Sequence, residues 1–176
     1  MTPLSAAADI GVLDLGGSQR EELLLQSAFD ESNGELSPDG HWLAYQSNES
    51  GTSEVYVRPF PNVATSKWLV STGGGTRPLW SRNGRELFYY VDPGTIMAVS
   101  VTLGSSFSFD KPTVAVKVSF SRPLIFSRHY DVSSDGKRFL LLKDVETTST
   151  GKPMQPELRI VLHFSDELER LVPKRN

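Results

Sequence analysis

The segment Glu35-Leu36-Ser37-Pro38-Asp39-Gly40-His41-Trp42-Leu43-Ala44-Tyr45 decides the fold. It reads as strand, tight turn, strand: Pro38 presets φ for the second position of a type I turn, Asp39 suits the next, and Gly40 can take positive φ without strain. The pattern returns twice. Pro78-Leu79-Trp80-Ser81-Arg82-Asn83-Gly84-Arg85-Glu86-Leu87-Phe88-Tyr89 turns on Asn83-Gly84, and Tyr130-Asp131-Val132-Ser133-Ser134-Asp135-Gly136-Lys137-Arg138-Phe139-Leu140-Leu141 turns on Asp135-Gly136.

The three turn glycines lie 44 and 52 residues apart, near the period of roughly 40–50 residues of a four-stranded propeller blade. Between the hairpins, Glu54-Val55-Tyr56-Val57, Lys67-Trp68-Leu69-Val70, the run from Thr95 to Val101 and Thr113-Val114-Ala115-Val116 are rich in β-branched and aromatic residues, so each interval holds about two more strands. Upstream, Ile10 to Asp14 and Glu21 to Leu25 read as the last two strands of a further blade. Downstream, Glu157 to Phe164 reads as a third strand, and Ser165-Asp166-Glu167 then caps a short helix through Leu171. The expected fold is all-β: a single domain over residues 1–176, a partial β-propeller of four-stranded antiparallel blades with a short C-terminal helix. Its expected parts are the end of a blade at 8–27, blades at 33–71 and 77–117, an incomplete blade at 127–164 and the helix at 165–172. Closed propellers hold about four to eight complete blades, so a homodimer pairing the incomplete blades is one way to cover the open edges.

With 18 basic and 21 acidic residues among 176, the net charge is −3, and no segment gathers the basic residues into a patch; a nucleic-acid partner is not expected. The absence of cysteine removes disulfides, thiolate metal sites and cysteine nucleophiles. No run approaches the roughly 18 apolar residues of a membrane span, and residues 1–10 lack the features of a signal peptide.

Several local patterns invite chemistry. Ser71-Thr72-Gly73-Gly74-Gly75-Thr76 could present backbone N–H groups to an anion, but no lysine-capped helix follows, so an inter-blade loop is the better reading. His41, His129 and His163 sit in different repeats without metal-ligand spacing, and Asp39 and Asp135 lack the alternating acidic ligands of a calcium loop; surface, structural and turn-forming roles are expected. The aromatics Trp42, Trp68, Trp80, Tyr45, Tyr56, Phe88, Tyr89 and Tyr90 suit the packing of adjacent blades better than stacking on a ligand. Arg58-Pro59-Phe60-Pro61 and Arg122-Pro123 are expected at blade edges or rims. A Gly-x-Ser-x-Gly nucleophile elbow and the glycine-rich, His-Arg-Asp and Asp-Phe-Gly motifs of kinases do not occur, so no catalytic, cofactor-binding or metal-binding residue is assigned.

Ser37-Pro38-Asp39-Gly40-His41-Trp42-Leu43-Ala44-Tyr45-Gln46-Ser47 resembles the TolB-like, WD-type β-propeller repeat. Its continuation, Asn48-Glu49-Ser50-Gly51, Val57-Arg58-Pro59-Phe60-Pro61, Ser71 to Thr76 and Trp80-Ser81, is similar to the C-terminal propellers of bacterial eukaryote-like serine/threonine kinases. The resemblance spans roughly residues 8 to 172. It implies a non-enzymatic binding or regulatory module, the C-terminal part or a paralogue of a kinase-associated sensor propeller, with a protein or peptide partner. The alternatives are an accessory propeller of a prolyl-oligopeptidase-like hydrolase and a self-assembling structural fragment. The expected location is cytoplasmic, or extracytoplasmic for a fragment of a membrane-anchored kinase.

Overall fold

The computed structural model describes residues 7–16, 20–118 and 128–142. All lie in one compact unit, Met1–Asp144; a second unit, Val145–Asn176, falls outside the described residues, and with it the strand expected at 157–164 and the helix expected at 165–172. The described residues form strands and turns, and none of them builds a helix long and apolar enough to cross a membrane.

Strands β1 (Ile10–Leu13) and β2 (Glu21–Leu25) pair as an antiparallel ribbon. A four-stranded meander follows: β3 (Glu31–Leu36), β4 (Trp42–Ser47), β5 (Glu54–Pro59) and β6 (Trp68–Leu69), each antiparallel to the one before. The second meander begins with β7 (Thr76–Trp80), β8 (Glu86–Val91) and β9 (Thr95–Thr102). Its outer position is shared by β10 (Ser108–Phe109) and β11 (Thr113–Lys117), both paired with β9. The third hairpin is β12 (Tyr130–Val132) with β13 (Phe139–Leu141). Two successive up-and-down blades flanked by further antiparallel pairs make the chain a partial β-propeller.

One outer strand departs from the sequence reading. The outer strand expected at 113–116 is joined by a short segment before it, so that residues 108–117 form an interrupted edge along β9, with the Asp110 N–H donating to the Ser100 carbonyl at 2.9 Å. Pro112, which has no N–H to donate, sits where the ladder breaks.

Every residue of Trp42-Leu43-Ala44-Tyr45 is buried because both faces of β4 are covered. Trp42 and Ala44 pack with Trp80, Leu87, Tyr89 and Val99 of the second blade, whereas Leu43 and Tyr45 pack with Leu25 of the ribbon. In β8 the same alternation sends Leu87 and Tyr89 toward the first blade and Phe88 and Tyr90 toward Tyr130 and Val132. Phe107 fills the space between blades, its ring centroid 5.5 Å from both Trp42 and Trp68. The aromatics therefore form inter-blade core, with Trp80 only 4% exposed.

Hydrogen bonds lock the blades in register. The Trp80 Nε1–H donates to the Glu35 carbonyl at 3.0 Å, and the Tyr130 hydroxyl donates to the Arg77 carbonyl at 2.6 Å. Register shifts in β3 and β7 fall at Asn33 and Arg77, non-glycine residues held at φ 52° and 54°. Gln46 Oε1 accepts from Asn33 Nδ2 at 2.9 Å and from the Arg77 N–H at 3.0 Å, pinning both bulges. Since the bulges recur at equivalent repeat positions, their strain belongs to the blade architecture.

Candidate functional site

Strands β3, β7 and β12 each pair on one side only, with β4, β8 and β13. Their C-terminal ends, just before the hairpin turns, meet around a pocket of about 430 Å³. Leu36, Leu79, Trp80 and Val132 give it apolar lining, and Glu35, Arg82, Arg128 and Asp131 give it charge. Arg128 Nη1 and Glu35 Oε2 are 2.9 Å apart, linking the inner strands of the first and third blades. Arg82 and Asp131 make no ion pair with each other or with any other described residue. The Asp131 carboxylate accepts only from the N–H of its neighbour Val132, at 2.8 Å, among the described residues.

A second depression, about 830 Å³, lies between the hairpin turns of the first two blades. Pro38 and Asp39 line it from one turn and Arg82, Arg85 and Glu86 from the other. Pro38 and Arg82 line both spaces, so the pocket and the groove adjoin on the face that carries the turns.

The glycine-rich loop already holds an anion, supplied by the chain itself. Glu54, 5% exposed, accepts from the N–H groups of Gly73 and Gly74 at 2.8 and 2.9 Å and from the Ser71 hydroxyl. Gly73 and Gly74 have φ of 83° and 107°, which turns their N–H groups onto one carboxylate oxygen. Ser71 Oγ also accepts from the Val55 N–H at 2.7 Å. The loop is thus an inter-blade connection with a filled nest, a pairing across 19 and 20 residues that spacing alone did not reveal.

Asp39 and Asp135 are turn residues. Each accepts from a serine hydroxyl, Ser37 or Ser133, at 2.5 Å and from the backbone N–H of His41 or Lys137 at 3.1 Å. Burial works to raise the Asp39 pKa, but the Ser37 hydroxyl and His41 N–H together hold it below the usual carboxylate value. The Ser133 hydroxyl lowers that of Asp135. His41 is exposed; His129 is buried with its ring edge-on to Tyr90, 4.7 Å between centroids; His163 lies outside the described residues. Among the described residues no three His, Asp or Glu side chains gather as a metal site. Pro59 ends β5 beyond the reach of β6, while Pro123 lies outside the described residues. Burial pushes the Tyr89 phenol up to about 12, with the Glu54 charge adding to it, and burial also raises Tyr130.

The four charged residues of the pocket were not singled out from sequence, because they come from positions 35, 82, 128 and 131 and only the blade repeat brings them together. The available signal was their place: each stands within two residues of the end of an inner strand.

No protein-family model and no curated protein matches the chain. Among solved structures it is similar to a protein assigned as TolB from Agrobacterium tumefaciens, at 18% identity and a TM-score of 0.44, over 57% of this chain and 40% of that one. It is also similar to an oligogalacturonate lyase from Vibrio parahaemolyticus, at 15% identity and a TM-score of 0.48, over 76% of this chain and 37% of that one. The chain thus spans about two fifths of the length of either protein.

Proposed function

We propose that this chain is a non-catalytic binding module that regulates another protein, and that its ligand, a protein segment or peptide, enters the pocket at the inner strand ends. The observation that carries the reading is the convergence of β3, β7 and β12 on one pocket of about 430 Å³ with apolar lining and four charged side chains. The accessible lining is mainly polar, with apolar side chains behind it; convergent polar groups fix a ligand's orientation, and rigid strand ends position them with little entropic cost on binding. The finer assignment, the C-terminal part or a paralogue of a kinase-associated sensor propeller, is supported by the resemblance of residues 37–47 and their continuation to such propellers.

The test is to screen the isotopically labelled chain against a library of short peptides and map each binder by chemical-shift changes. Binders that move the Trp80 indole N–H and the Arg82 amide, and that Arg82→Glu releases, support the reading. Binders that map only to outer strands such as β11, or cleavage of the peptides by repurified protein, would overturn it.

A further inference from the structure

Resting on the reading of this pocket as the binding site, we propose that its ligand is zwitterionic: an amino acid or short peptide with both a free carboxylate and a free ammonium group. Four charges line the pocket, two of each sign, and they are not equivalent. Glu35 and Arg128 satisfy each other at 2.9 Å. Arg82 and Asp131 have no ion-pair partner among the described residues, and they stand on neighbouring blades around the same opening.

A lone cation would favour a simple anion, and a lone carboxylate a simple cation. One unpaired group of each sign around a shared space favours a ligand that carries both charges and bridges them. Arg82 offers the planar donor fork that binds a carboxylate through two hydrogen bonds. Asp131 can accept from an ammonium group while keeping its bond to the Val132 N–H. Of the apolar residues at the pocket Leu36 is exposed while Leu79, Trp80 and Val132 are buried, so an aliphatic side chain of the ligand would rest on Leu36 between the two charged ends. The Glu35–Arg128 pair, with side chains about one third exposed, leaves the pocket's remaining charge balanced, so neither sign is favoured on entry.

The probe is L-leucyl-L-leucine, compared with its N-acetyl and its C-terminal amide forms, with the Trp80 indole N–H resonance as readout. The free dipeptide is expected to bind saturably, and each blocked form about tenfold more weakly, the loss of one charge-assisted hydrogen bond. Arg82→Gln should remove the penalty for amidation and keep that for acetylation; Asp131→Asn should do the reverse. Both residues are exposed, so circular dichroism and melting should show the variants folded. Equal binding of all three forms, or no saturable binding of the free dipeptide, would overturn the zwitterion assignment. If doubly blocked peptides still bind at Trp80, the binding-module reading stands without it; if every peptide binder maps away from Trp80, both fall.

Discussion

Ser37, Ser81 and Ser133 do the same work in three turns. Each hydroxyl bonds the side chain two residues on and receives the N–H five residues on, from Trp42, Glu86 or Arg138 at 2.9–3.0 Å. Ser37→Ala should therefore lower stability by about 1–2 kcal/mol, read from urea denaturation, because the buried Trp42 N–H loses an acceptor. Gly40 stands at φ 74° with open space where a Cβ would go, so Gly40→Val should lower it by about 1–3 kcal/mol through backbone strain alone. The aspartates of these turns give stability a pH dependence. Their folded pKa values lie below the ordinary aspartate value of 3.8, so the contribution is fully present above that value and is lost as pH falls through the folded values. Melting temperature should fall below about pH 4, and Asp39→Asn with Asp135→Asn, copying the natural Asn83, should flatten that fall. An unchanged acid limb in the double variant would mean that other carboxylates govern it.

At the scale of the element, the four-residue cores of β4 and β8 were legible because a strand covered on both faces reads as an unbroken apolar run, and the glycine turns fixed their register. The outer edge was less legible. β6 keeps only two residues, and the ladder along β9 breaks at Pro112, because outer strands pack little and few residues are needed to hold them. Glu54 was silent in sequence since two of its three partners are backbone N–H groups, which nearly any residue possesses, and the third is a lone serine hydroxyl. Its removal should still be felt: Glu54→Ala would leave the Gly73 and Gly74 N–H groups without their acceptor, at roughly 2–4 kcal/mol, and Glu54→Gln should recover part of this by keeping one oxygen. Thermal melts of the two variants decide it, and equal melting points would show that the nest is idle.

Across the whole molecule, blades contact their neighbours through separate clusters, so disturbance of one junction should stay local, as in other repeat architectures. The junction of the second and third blades rests on Tyr130, 4% exposed, whose hydroxyl donates to the Arg77 carbonyl at 2.6 Å. Burial raises the phenol's pKa, so it stays a donor through the neutral range. Tyr130→Phe keeps the ring that packs with Phe88, Tyr90 and Phe139 and deletes only the hydroxyl. The cost should be about 1–3 kcal/mol, confined to the opening of the β12–β13 hairpin. Hydrogen exchange reads this directly. The amide of Leu142, bonded to the His129 carbonyl at 3.1 Å, should exchange about 5- to 150-fold faster, whereas amides of β4 and β5 should be unchanged. A uniform acceleration across all strands would instead mean that the blades open as one cooperative unit.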